Sequence, residues 1–237
     1  MGSRLSLGRR ASTAVLWPVG ITLTSWDYMW RTTPLHRGEV PGDERDLPPP
    51  LPDDLLTEDL QLDGDGVGPL FHRLYRTRIR EATIPVDELV RRIQVDPNCV
   101  TPTDLARFLK VRGDDGRMAV GDEYVVRMPG PWDGPVRVAE VTPESFRLVT
   151  LGGHLEAGQI EFRAGTSDGL IEFAIESWAR SGDRLSNLLY SHLRMAKEVQ
   201  LHMWSSFLER VAELAGGRMT GGIEIVSRKI EDLDAIS

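Results

Sequence analysis

His154 and Glu156 stand two residues apart in the stretch TLGGHLEAG, residues 150–158. A histidine and a carboxylate so spaced could share a proton as an acid–base pair at a cavity mouth. They could equally contact a polar ligand, or cap their own turn by bonding to backbone amides, because a tight loop must satisfy its polar groups. Gly152, Gly153 and Gly158 permit the sharp backbone path that any of these roles needs. These two residues are the catalytic candidates, but no nucleophile accompanies them. The chain has no G-x-S-x-G elbow, no P-loop and no G-x-G-x-x-G opening a helix after a strand. His192, close to Tyr190, is a further polar candidate. The five histidines show no metal-ligand spacing, so neither a metal nor another cofactor is expected. Cys99 is the lone cysteine, which excludes an intrachain disulfide and reads as a small core residue in a reducing, cytoplasmic protein.

The elements that must position these residues are legible from periodicity. Between Asp122 and Ala179 the chain reads as five short strands. Tyr124, Val126 and Met128 share one face, with Glu123 and Arg127 opposite. Phe146 and Leu148 flank Arg147, Ile160 and Phe162 flank Glu161, and Ile171, Phe173 and Ile175 alternate with Glu172 and Glu176. Such period-2 patterns predict a sheet covered on one face and wet on the other. A long helix is predicted over roughly 183–215. Leu189, His192, Ala196, Val199 and Met203 recur on its apolar stripe at three- and four-residue steps. The apolar strand positions and this stripe are the expected ligand-binding set, with His154 at the rim. Upstream, Leu70–Ile79 has strand character. Pro85, Asp87 and Glu88 start a short helix ending before Pro97, and Asp104–Lys110 reads as a second short helix or a bridging turn.

Composition bounds the rest. With 237 residues and 41% apolar content a substantial core is expected, while a formal net charge of −8 argues against a nucleic-acid partner. Residues 1–37 are aromatic and basic. They read as an arm packed on the body, as a signal or span, or as a peripheral membrane contact through residues 11–37. Residues 38–68 are acidic and proline-rich, which predicts a linker or a loosely wrapped arm. The main domain spans 69–216, and 217–237 reads as a tail forming a short strand or a frayed end.

Thr150, Leu151, Gly153, His154, Glu156, Gly158 and Phe162 match, position by position, the phrase T-L-x-G-H-x-E-x-G-x-x-x-F. In this phrase the chain resembles an uncharacterised domain-of-unknown-function family grouped with the START-like superfamily. That superfamily includes lipid-transfer domains, birch-pollen-type allergens and aromatic polyketide cyclases. The chain departs from the phrase's surroundings at Leu155, where a proline is expected, and at Gln159, where an acid is expected. The resemblance covers roughly residues 68–215. It implies an α+β, START-like helix-grip fold: an antiparallel sheet wrapped on a long C-terminal helix, with two short helices after the first strand. It carries no activity over, since this superfold hosts carriers, enzymes and scaffolds.

Three functions follow as expectations. The first is non-catalytic binding or transport of an apolar small molecule (a lipid, isoprenoid or polyketide-like compound) between sheet and helix. The second is a cyclase- or dehydratase-type enzyme drawing on His154, Glu156, His192 or Tyr190. The third is a protein-interaction module with a packed body. Oligomeric state is left open by a single chain.

Overall fold

The computed structural model describes residues 33–128, 133–182 and 190–230, with side chains in the long helix described from Gln200 onward. Nine strands form one sheet: β1 (Leu35–Pro41), β2 (Val67–Arg80), β3 (Arg107–Arg112), β4 (Glu123–Arg127), β5 (Asp133–Val141), β6 (Ser145–Thr150), β7 (Glu156–Ser167), β8 (Leu170–Ser181) and β9 (Arg218–Ile230). Helix α1 (Val86–Val95) follows β2, and helix α2 (Tyr190–Leu214) follows β8. The spatial order is β1-β9-β2-β8-β7-β6-β5-β4-β3. Neighbours pair antiparallel, except β1, which runs parallel to β9.

Local chemistry accounts for the helix ends. Pro85 caps α1, the first turn carries Asp87 and Glu88, and Leu89, Val90 and Ile93 face the core. Helix α2 buries Trp204, Phe207, Leu208 and Val211 against the concave face of the sheet. It stops at Gly216, whose φ of +67° suits glycine. There the Gly217 amide donates to the Ala212 carbonyl and the Gly216 amide to the Glu213 carbonyl. A Cβ at Gly216 would also lie 2.2 Å from the Thr83 hydroxyl oxygen.

The core between sheet and helix is centred on aromatic rings. Phe146 and Phe162 stack at 4.7 Å, Trp204 meets Phe162 edge-on at 5.6 Å, and Phe207 lies 5.3 Å from Phe162. The five strands read between Asp122 and Ala179 are β4 to β8, and their apolar alternation does face α2.

Several expectations are corrected. Residues 107–112 form the edge strand β3, not a helix or turn, because Phe108 alternates inward and the segment pairs along β4. Only α1 and a single 3-10 turn (Pro97–Cys99) therefore follow the first long strand, where two short helices were expected. The supposed C-terminal tail contributes β9, a strand of 13 residues placed between β1 and β2. Its Ile223 and Ile225 alternate into the core. Cys99 is exposed, not buried in the core. Its partial shielding and the Asp96 carboxylate push its thiol up to about 11, which leaves little thiolate. The predicted residues 183–189 of α2, and residues 1–32, lie outside the described residues.

The outer face of the sheet is not left wet. Residues 42–66 cross it, and Leu51, Leu55, Leu60 and Leu62 pack on Ala139 and Val149 as a second, small core. The arm's acids meet outward-pointing bases. Asp59 accepts from Arg137 at 2.5 Å, and Asp46 lies 2.9 Å from His72 Nδ1 and 3.3 Å from Arg228. His72 in turn stacks on Trp178 at 5.2 Å and approaches Glu176 at 2.5 Å. Burial would raise the Glu176 carboxyl, but hydrogen bonds from His72 and Arg163 outweigh it and hold its pKa below the usual range.

Candidate functional site

Residues 150–158 form the end of the β6–β7 hairpin, and the two strands splay there. Residues 59–61 of the arm fill the gap. The Gly152 amide donates to the Asp59 carbonyl (2.9 Å), the Gln61 amide to the Thr150 carbonyl (2.9 Å), and the Gly158 amide to the Gln61 carbonyl (3.0 Å). Thr150 Oγ1 donates to the Gln61 carbonyl at 2.6 Å while accepting from the Gly158 amide at 2.9 Å. The Gln61 side chain completes the joint. Its Nε2 donates to the carbonyls of His154 (2.8 Å) and Glu156 (3.1 Å), and its Oε1 accepts from the Gly153 amide (3.0 Å). Most of the polar pattern in the T-L-x-G-H-x-E-x-G phrase thus forms a socket for one glutamine. Gly158 has to be glycine: its φ is +153°, and a Cβ there would sit 1.9 Å from the Trp178 carbonyl oxygen.

His154 belongs to this joint. Its Nδ1 lies 2.9 Å from both the amide nitrogen and the carbonyl oxygen of Glu156, accepting from the first or donating to the second according to the ring's tautomer. Its edge packs against Gly134, where a Cβ would come within 2.9 Å of Nε2. Burial pushes the ring's pKa below its usual value, so it stays neutral. The Glu156 side chain turns elsewhere, to Gln200 Nε2 at 3.2 Å and Arg73 Nη1 at 3.5 Å. The two candidate residues therefore serve different partners. Replacing Gln61 by alanine strands one amide and two carbonyls, and is expected to cost about 1–3 kcal/mol. Guanidinium unfolding would measure it. Hydrogen exchange at Gly153 should rise in the same variant, and an unchanged exchange rate would refute the socket.

The expected ligand-lining positions fall into three groups. Tyr124, Phe146, Leu148, Phe162, Ile171, Phe173, Ile175 and Met203 are buried in one apolar cluster, and Val126, Met128 and Ile160 lie half-buried against it. The side chains of Leu189, His192, Ala196 and Val199 lie outside the described residues. Around Phe162 the space between sheet and helix is filled by rings.

At the other end of the inner face the chemistry changes. Arg73 on β2 lies directly opposite Ser177 on β8, and both point inward with Tyr75 and Ile175. The Arg73 guanidinium rests over the Phe71 ring at 4.8 Å. The chain of contacts runs from Arg73 through Glu156 to Gln200 on α2. Arg73 Nη1, Ser177 Oγ and Trp204 Nε1 are all buried and have no hydrogen-bond partner among the described residues. Residues 71–79 already carried the signal for Arg73, since it shares the parity of Tyr75, Thr77 and Ile79. Ser177 likewise shares the parity of Ile171, Phe173 and Ile175.

The outer face offers a contrast. An open depression of about 520 Å³ lies between the arm at Leu51 and Leu55 and the strand residues Ala139 and Val141. Of its charged lining residues, Asp54, Glu140 and Arg147, the last two are mutually paired at 2.8 Å. Beneath the arm, Arg147 Nε, Gln159 Oε1 and Trp178 Nε1 are also buried without partners, a mixed set of donors and an acceptor. Among the described residues no three His, Cys, Asp or Glu side chains group as metal ligands, and no helix is long and apolar enough to cross a membrane.

Residues 103–210 match the model of a family described as a domain of unknown function, DUF1990. No curated protein matches the chain in sequence. Solved structures resemble it at low identity. Ara h 8.0201 shares 11% identity, with 61% of this chain and 97% of that one covered and a TM-score of 0.40. Protein Ms6760 from Mycobacterium smegmatis shares 18%, with 67% and 96% covered and a TM-score of 0.40. The di-domain ARO/CYC StfQ from the steffimycin biosynthetic pathway shares 9%, with 65% and 52% covered and a TM-score of 0.44.

Proposed function

We propose that this chain, whose residues 103–210 belong to the DUF1990 family and whose fold is the START-like helix grip, binds a hydrophobic small molecule without catalysis. The site lies between the inner sheet face and α2. One observation carries the reading: on the inner face Ser177 Oγ and Trp204 Nε1 are buried with no hydrogen-bond partner among the described residues, and Arg73 Nη1 has only the Glu156 carboxylate, at 3.5 Å. A buried donor left unpaired costs about 1–3 kcal/mol, so such groups beside an apolar cluster favour a ligand that completes them. The Trp204, Phe162 and Phe207 rings supply the adjoining apolar wall. A few placed polar groups beside an apolar wall is the usual make-up of a small-molecule site.

The cyclase or dehydratase reading draws less support. It needs at least two cavity groups converging on one substrate, while His154 Nδ1 is occupied by its own hairpin and Glu156 turns to Gln200.

Native mass spectrometry of the full chain, followed by organic extraction, tests the proposal. A stoichiometric apolar adduct is the expected result. A clean apo mass with no uptake from a panel of lipids, isoprenoids and aromatic polyketides would end it.

A further inference from the structure

We propose that His72 is a pH-sensitive clasp that fastens the start of the acidic arm to the outer face of the sheet. Strand register sets it up: His72 on β2 lies opposite Arg228 on β9 and opposite Trp178 on β8. The single turn Glu44–Asp46 of the arm sits over this row. The ring is buried, with a carboxylate at each nitrogen. Asp46 of the arm lies 2.9 Å from Nδ1, and Glu176 of the sheet lies 2.5 Å from Nε2. An ionised carboxylate can only accept, so both contacts are hydrogen bonds only while the ring carries both of its hydrogens.

A neutral ring has one hydrogen for two carboxylates. That hydrogen goes to the nearer one, Glu176, and the Nδ1 lone pair then faces the Asp46 charge. The clasp is therefore closed on the acid side and opens as pH rises. This is the opposite sense to the Asp59–Arg137 pair, whose contact is lost as pH falls. The other charges around the ring do not reverse it. Arg163 on β7 holds the second oxygen of Glu176, Arg228 lies 3.3 Å from Asp46, and Asp43 pairs with Arg45 inside the turn. The arginines stay charged throughout, and Glu176, held below its usual range, stays ionised. Arg228 keeps its hold on Asp46, so the opening is local and the arm is not shed as a whole.

The segment that lifts is short. The Gly42 amide donates to the Lys229 carbonyl at 2.9 Å, and a Cβ on Gly42 would lie 2.6 Å from Ile230 Cγ1. Ile230 packs with Leu70 and Trp178 as a small apolar cluster. Loosening residues 42–47 uncovers that cluster, while residues 59–61 remain pinned in the β6–β7 hairpin by backbone hydrogen bonds.

Hydrogen exchange of the full chain tests the clasp, read as protection factors at about pH 6 and about pH 9 so that the intrinsic rate cancels. Protection of the Gly42 and Asp46 amides is expected to fall about ten-fold between the two, the worth of roughly one hydrogen bond to a charged group. The Gln61 and Gly158 amides should keep theirs. His72→Gln has one amide group to give at every pH, so it should show low protection at Gly42 and Asp46 that no longer varies with pH. His36 is exposed on β1, and His36→Gln should leave the wild-type fall intact. Circular dichroism checks the fold of each variant. Equal protection at the two pH values in the wild-type chain would overturn the clasp, whatever the variants do. A fall that persists in His72→Gln, or one shared by Gln61 and Gly158, would overturn it as well.

Discussion

Phe162→Ala is expected to lower the stability of the protein by about 3–5 kcal/mol, the range for deleting a ring from a close-packed core. Phe162 is 1% exposed and touches three other rings, those of Phe146, Trp204 and Phe207. These rings come from the neighbouring strand β6 and from the helix α2, so the void cannot collapse by moving one side chain. The loss should appear in guanidinium unfolding as a lower midpoint with an unchanged slope. A loss under about 1.5 kcal/mol, the scale of a volume-conserving apolar swap, would mean that the rings are loosely packed. The space between sheet and helix would then be wider than the structure shows.

Arg137→Met should be the second large effect, and it is the one that ties the arm to the sheet. Arg137 is 6% exposed. It donates to Glu123 at 2.6 Å, to Asp59 at 2.5 Å and to Thr57 at 2.7 Å. Removing one partner of a fully enclosed pair costs about 3–5 kcal/mol. Asp59 is more than half exposed, so about 2–3 kcal/mol is expected here. The acid dependence gives a sharper check. The Arg137 hydrogen bond, helped by Thr57, holds the Asp59 carboxyl down from 3.8 to about 2. A carboxyl depressed on folding contributes stability that is fully present above its ordinary value and lost as pH falls through the folded one. The gap between wild type and Arg137→Met should therefore narrow as pH falls from about 4 to about 2. A gap that stays constant over that range would show that Arg137 acts through packing alone.

The arm also shows where reading residues in order went astray. Its Asp43, Glu44, Asp46, Asp53, Asp54 and Asp59 looked like a self-repelling solvated run. Two of them have partners on outward strand positions, Asp46 with His72 and Arg228 and Asp59 with Arg137, and only pairing of the strands sets these bases opposite the acids. The leucines at 51, 55, 60 and 62 were in plain view, but without a helical or strand period they declared no face. The joint at Gln61 was equally hidden, because the phrase it completes lies about ninety residues downstream.

Local periodicity determined the strands β4 to β8, helix α1, the long helix and the apolar identity of the inner face. Each of these depends on which side a residue takes along its own element, and that is a short-range property of the backbone. The tertiary structure decided that β9 joins the sheet beside β2, that the acidic arm covers the outer face, and that His154 and Glu156 part company. It also decided that Arg73 and Ser177 come opposite each other on the inner face, with Glu156 beside Arg73. Those facts come from contacts between residues distant in sequence, where desolvation, charge pairing and close packing choose among arrangements that local pattern leaves equal.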